Sequence, residues 1–350
     1  MVHDPLPDWP MFGVAEDVRP ALRRARDDGS ALVLATLVSV EGGGPRPEGT
    51  QMVFASGVLA GYFSGGCVEG DIAGHAWACL DDGTPRTLVY GDGSPWPDIR
   101  LLCGARIEIF LERLGADDAA LAELLSAEKD RRPVVYVSDG IRRACAAEPP
   151  ALANAAVVRR YAPRPRLVIV GGDPTALAIA ELGVKSGFET TLVRPKGPSA
   201  PPPIPGLAYR RDDPADAFVA IGLDAWTSVA VATHDLETDR AALIAALPSG
   251  AGYVGLLGAR RRLSGRLDEL RFEGVSDAAM ARLHAPIGLD IGGKAPFEVA
   301  VSVIGEITAM RYARGSGKTS TTSPASSATA PAARFSKASE AANTLTRDES

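Results

Sequence analysis

Apolar and polar positions run along this chain in two rhythms. From Val14 to Asp28 apolar residues recur at helical spacing, and ALVLATLVSV (Ala31 to Val40) follows as a β-branched run that reads as a buried strand. Gln51 to Phe54 and Val58 to Phe63 flank the turn-like spacer Ala55-Ser56-Gly57 and predict a hairpin, after which a helix reaches about Leu80. RTLVYG (Arg86 to Gly91) and RIEIFLERL (Arg106 to Leu114) predict two more strands. Asp117 is placed to cap a helix ending before Pro133, and PVVYVSDG closes this half.

From Ala144 to Arg166 the chain turns alanine- and proline-rich, which reads as a domain junction. Strand and helix then alternate. LVIVGG (Leu167 to Gly172), TTLVRP, SVAVATH and GYVGLLGA predict strands; Pro174 to Ser186, Leu236 to Leu247 and Arg260 to Glu273 predict helices. Such alternation predicts a doubly wound parallel sheet. A short helix is expected from Ser276 to Leu283, and Pro296 opens a last one reaching Arg311. The expected division is a first domain at 1–150, a linker at 151–165, a Rossmann-type domain at 166–313 and a disordered tail at 314–350, whose Ser, Thr, Ala and Pro cannot bury enough surface to order.

A length of 350 residues suits two domains, and 46% hydrophobic residues give each a core. The net charge of −6 argues against nucleic acid and anionic membranes, so proteins and small molecules are the expected partners. The start lacks a basic region followed by an apolar run, and no apolar stretch is long enough to span a bilayer; a soluble cytoplasmic protein is expected. Four cysteines, at 67, 79, 103 and 145, form no Cys-x-x-Cys pair and are expected to be reduced thiols.

The densest chemistry lies in GYFSGGCVEGDI (Gly61 to Ile72). Gly65 and Gly66 can bring main-chain N–H groups close to a ligand, and Cys67 is expected to begin a helix whose positive end favours thiolate. Glu69 in the first turn can accept hydrogen bonds. This pattern suits an anionic or soft-metal ligand. Val68, Ile72, Ala76 and Leu80 also form an apolar stripe, so Cys67 as a small buried hydrophobe stands beside the first reading. Cys67, Asp71, His75 and Cys79 form one i, i+4 line, but ligands three turns apart cannot converge on one ion. Cys103, before Gly104 and a strand, either faces Cys67 or fills the core.

Two stretches approach phosphate-binding patterns without completing them. GSGKTST (Gly315 to Thr321) lacks the first glycine of a phosphate loop, since Tyr312 stands there. In LVIVGGDPTALAIA, Gly171 and Ala176 fit the dinucleotide fingerprint, but Asp173 puts a carboxylate where a pyrophosphate should approach, and Val193-Arg194-Pro195-Lys196 has no acidic residue for a ribose. NAD(P) binding is therefore not expected. The alternative, an NAD(P)-dependent oxidoreductase, would use His234 and Asp235 as general acid and orienting carboxylate, and Arg260, Arg261 and Arg262 for an acidic substrate. A pure scaffold is a third reading.

Ser64-Gly65-Gly66-Cys67-Val68-Glu69 resembles the signature of the XdhC/CoxI family of xanthine dehydrogenase accessory proteins. ATLVSVEGGGPRPEGTQMVF, LLCGARIEIFLERL, ATHDLETDRAAL, YVGLLGARRR and HAPIGLDIGGKAPFEVAVSVIGEI resemble further family blocks in the same order, over residues 12–313. Two departures stand out: Cys103-Gly104-Ala105 lacks a second glycine, and Gly171-Gly172-Asp173-Pro174 replaces a Gly-x-Gly turn. The resemblance implies an α/β fold, an amino-terminal XdhC/CoxI-type domain followed by a Rossmann-type domain. It implies an accessory protein that binds molybdenum cofactor, holds it for sulfuration by a cysteine desulfurase and delivers it to apo-xanthine dehydrogenase or a related molybdenum hydroxylase, with a homodimer as the expected assembly. Cofactor-binding positions are then expected at Ser64, Gly65, Gly66, Cys67, Glu69, Cys103, Gly104, Gly171, Gly172, His234 and Asp235, with Cys67 nearest the metal.

Overall fold

Helix α1 (Arg19–Asp27) begins five residues later than its apolar spacing predicts, because Pro20 lacks an N–H and is held in the first turn. A 3-10 turn at Met11–Gly13 precedes it. The computed structural model describes residues 6–44, 46–94, 101, 104–258 and 263–315. The described residues up to Thr308 form one compact unit, and a second begins at Ala309, inside the last helix.

Strands β1 (Leu32–Glu41), β2 (Gln51–Ala55) and β3 (Val58–Ala60), helix α2 (Glu69–Asp82), then β4 (Arg86–Tyr90) and β5 (Arg106–Leu114) build the first layer. The sheet runs β3-β2-β1-β5-β4, antiparallel throughout. Its central strand is apolar at successive positions because both faces are covered. Leu32 and Leu34 join Val53, Phe110 and Leu114 in one core, whereas Val33, Ala35 and Leu37 join Met52, Phe54 and Ile109 in a second core with Ile72 and Ala76 of α2.

On the face opposite α2, helix α3 (Ala119–Lys129) is capped by Asp118, which accepts from Leu121 N at 2.9 Å, one position after the expected Asp117. A three-stranded antiparallel sheet follows, ordered β7-β6-β8, from β6 (Val134–Ser138), β7 (Arg143–Ala146) and β8 (Val157–Tyr161). Two of its strands lie in the stretch that reads as a junction. In β8 the inward positions are Val157, Arg159 and Tyr161, so an arginine at the centre of the buried face erases the alternation that would announce a strand.

The second half contains β9 (Arg166–Gly171), α4 (Pro174–Lys185), β10 (Glu189–Val193), β11 (Ala208–Arg210), α5 (Pro214–Ile221), β12 (Thr227–Ala232), α6 (Leu236–Ala246), β13 (Tyr253–Leu256), α7 (Leu263–Phe272), α8 (Asp277–Met280), β14 (Leu283–His284) and α9 (Pro296–Gly315). Its six strands run parallel in the order β11-β10-β9-β12-β13-β14, the dinucleotide-fold order, with the switch point between β9 and β12. Glycine is required at 171, where a Cβ would lie 2.2 Å from the Ala232 carbonyl oxygen. No described helix is long and apolar enough to cross a membrane. The expected tail falls outside the described residues from 316 onward, as do Cys103 and Arg260, Arg261 and Arg262.

Candidate functional site

The turn Ser64–Val68 is built around one carboxylate. Glu69 is 3% exposed and accepts from Phe63 N (2.9 Å), Ser64 N (2.6 Å), Ser64 Oγ (2.7 Å) and Gly66 N (2.9 Å), with longer contacts from Gly65 N and Val68 N. Burial alone would raise its pKa; the hydrogen bonds from Ser64 and Phe63 outweigh that and hold it below the usual carboxylate value. The chain can wrap this closely because Gly65 and Gly66 sit at φ 106° and 113°. The expectation that these glycine N–H groups receive an external anion is corrected here: Glu69 already occupies them.

Cys67 tops the turn, exposed, with its N–H donated to Ser64 Oγ at 3.0 Å. It does not begin the helix, which starts at Glu69 after Val68. Nor is it a buried hydrophobe; Val68 takes the inward position. Cys79 and Cys145 are the buried thiols, raised by burial, Cys145 to about 12. Among the described cysteines, Cys67 is the exposed one.

The surroundings of the turn come from sheet register. Val40 of β1 and Tyr90 of β4 both pair with Ile107 of β5, forming one row at one end of the sheet. Tyr90 Oη donates to Asp71 in the first turn of α2 at 2.6 Å, which brings the Cys67 turn to that end. Gly42 reaches the same place, since a Cβ on it would lie 3.6 Å from the Gly104 carbonyl oxygen. Three glycine-bearing stretches separated in sequence thus converge. His75 Nε2 lies 3.6 Å from Asp71 Oδ2, and no group of three His, Cys, Asp or Glu able to hold a metal ion occurs among the described residues.

The Rossmann turn is filled in the same manner. Asp173 caps α4, Oδ1 accepting from Ala176 N at 2.8 Å, and its Oδ2 lies 3.0 Å from His234 Nε2 across the switch point. Arg194 lies over Gly172, where a Cβ would come within 2.4 Å of its side chain. Asp235 turns away to cap α6, accepting from Thr238 Oγ1 at 2.6 Å and Glu237 N at 3.2 Å. His234 and Asp235 therefore do not form the acid and orienting carboxylate that the oxidoreductase reading requires: His234 faces Asp173 instead. Thr233 donates to buried Asp239, which Arg266 also bonds.

Sequence reasoning missed a cleft of about 430 Å³ on the sheet face opposite α2. Thr36, Thr50, Glu16, Glu48, Arg159 and Arg160 supply its polar lining. The guanidinium of Arg159 stacks 4.6 Å over the Tyr161 ring and donates to the Gly49 carbonyl. Its one sequence signal was the pair of arginines between Val157 and Tyr161.

Residues 25–91 match the model of the XdhC and CoxI family, and residues 167–307 match that of the XdhC Rossmann domain. The molybdenum cofactor insertion chaperone PaoD of Escherichia coli (strain K12) is 30% identical over 306 residues, covering 85% of this chain and 90% of that protein. A Bacillus subtilis (strain 168) protein, named as a probable subunit of xanthine dehydrogenase, is 26% identical over 329 residues, 81% of this chain and 94% of that protein. A crystal structure from Bacillus halodurans, described as a xanthine dehydrogenase, superposes with a TM-score of 0.69 at 23% identity, covering 87% of this chain and 98% of that one, which shows a shared fold.

Proposed function

Since the chain belongs to the XdhC/CoxI family, we propose that it is an accessory protein that binds molybdenum cofactor, holds it for sulfuration by a cysteine desulfurase and delivers it to apo-xanthine dehydrogenase or a related molybdenum hydroxylase. The name of the E. coli relative supports the cofactor and the insertion role. The observation that carries the reading is the exposed Cys67 on a turn already ordered by Glu69. A thiol is a soft donor suited to a sulfur-rich molybdenum centre, and a thiol held in solvent on a rigid turn can be reached by a partner protein. The cofactor is cargo here, and the chain's part is to orient it, shield it and release it. Action in the cytoplasm as a homodimer is part of the same proposal.

The NAD(P) reading loses support at the switch point, where the Asp173 carboxylate takes a helix N–H that a pyrophosphate needs and also faces His234. Purification from molybdenum-replete cells tests the proposal. Molybdenum and a phosphorylated pterin are expected in near-equal amount to the protein. Bound nicotinamide nucleotide with no pterin would overturn it.

A further inference from the structure

Both places where a phosphate would ordinarily be sought are filled from within. Glu69 takes the N–H groups of the Ser64–Val68 turn, and Asp173 takes the first turn of α4. A ligand carrying a phosphate needs cationic donors elsewhere, and the cleft beside β8 supplies them. Its volume of about 430 Å³ lies within the range of small-molecule sites. Arg159 is locked by its stack on Tyr161 and by the Gly49 carbonyl, a single bond that leaves most of its five donors free of that contact. Arg160 adds an exposed cation.

Arg46 lies beside the cleft, next in sequence to its lining residue Pro47 and paired with its lining residue Glu16. Its Nε is buried without a hydrogen-bond partner, and its contact with Glu16 is 3.4 Å long to a carboxylate that is 62% exposed. Such a pair is weak and readily exchanged for a phosphate. The same guanidinium lies 5.0 Å from the centre of the Tyr62 ring, in the stretch that leads to Cys67. One side chain thus touches both the cleft wall and the approach to the turn. Glu16 and Glu48 oppose an anion. Each has a partner, Glu16 in Arg46 and Glu48 in Val40 N.

Building on the accessory-protein reading, we propose that this cleft receives the phosphate of the cofactor through Arg159 and Arg46, with the metal end of the ligand directed toward the Cys67 turn. Arginine suits the task because its planar fork matches two phosphate oxygens at once.

The probe is the oxidised, fluorescent pterin prepared from molybdenum cofactor, with its phosphate intact or removed by phosphatase, and binding is followed by fluorescence anisotropy. Wild-type protein is expected to bind the phosphorylated form about ten-fold more tightly or better. Arg159→Met and Arg46→Met should each cut that preference to about two-fold, whereas Cys67→Ser should keep it while losing molybdenum. Circular dichroism establishes that the variants are folded; if Arg159→Met does not fold, Arg46→Met carries the test alone. Equal binding of the two forms by wild type, or an undiminished preference in folded variants, overturns the cleft proposal while molybdenum loading leaves the accessory role standing. If wild type binds neither form and also emerges from cells without molybdenum, both readings fall.

Discussion

Arg131 grips Asp224 with both ends of its guanidinium, Nε to Oδ2 at 2.6 Å and Nη2 to Oδ1 at 3.0 Å. The pair joins the end of α3 to the entry of β12, and Nη1 adds the Arg164 carbonyl and Glu189. Arg131 does this from φ 54°, in the position after a helix where glycine is usual. Arg131→Gly loses the grip but relaxes the backbone, whereas Arg131→Ala loses the grip and keeps the strain. The alanine variant should therefore be less stable by about 1 kcal/mol. Urea denaturation measures both; equal stabilities would refute the argument.

Glu69 makes stability depend on acid. Its folded pKa lies below the ordinary 4.5, so its contribution is complete above about 4.5 and is lost as pH falls through the folded value. Glu69→Gln presents an amide N–H₂ to backbone donors and should cost about 2–4 kcal/mol at neutral pH. It should also flatten the acid limb. Thermal melts of both proteins between about pH 3 and 7 test this, and two parallel curves would exclude Glu69 as the titrating group.

Cys67→Ser should leave stability within about 0.5 kcal/mol of wild type, because the thiol is exposed. Retained molybdenum should nevertheless drop about ten-fold, equivalent to about 1.4 kcal/mol. Melting temperature and metal content from one preparation decide the matter: unchanged loading removes Cys67 from the site.

Gly66→Ala meets no atom within 4 Å, so its cost is conformational alone, about 1–2 kcal/mol at φ 113°. A loss of loading beyond that expected from the unfolded fraction would show that the turn's path matters to the ligand. Loading that tracks the folded fraction would mean it does not.

Nicotinamide nucleotides should show no micromolar binding by calorimetry, since Asp173 already caps α4. Asp173→Ala should lower stability by about 1 kcal/mol by losing that cap. Stoichiometric binding of NAD or NADP to wild type would revive the oxidoreductase.

Four strands of the parallel sheet were legible because they are continuous apolar runs separated by helical spacing, as in LVIVGG and SVAVATH, whereas β11 and β14 are too short and too little buried to show. The small sheet was not, because Arg159 occupies the middle of its edge strand. Within the candidate site, the glycines and Cys67 stood out by type, but the bonds that Glu69 makes to main-chain N–H groups leave no mark in composition. The contact of His234 with Asp173 joins loops far apart in sequence, and neighbouring residues favoured Asp235 instead. Arg46 and the cleft were hidden for the same reason: their meaning lies in what surrounds them.

Because Glu69 already orders the turn beneath Cys67, cargo docked there as proposed would meet no entropic cost of loop closure, and its departure would regain none. Under the proposed function, residence time at that turn would then be governed by direct contacts alone, and a receiving enzyme that takes over those contacts one by one would draw the cargo away without first melting its carrier.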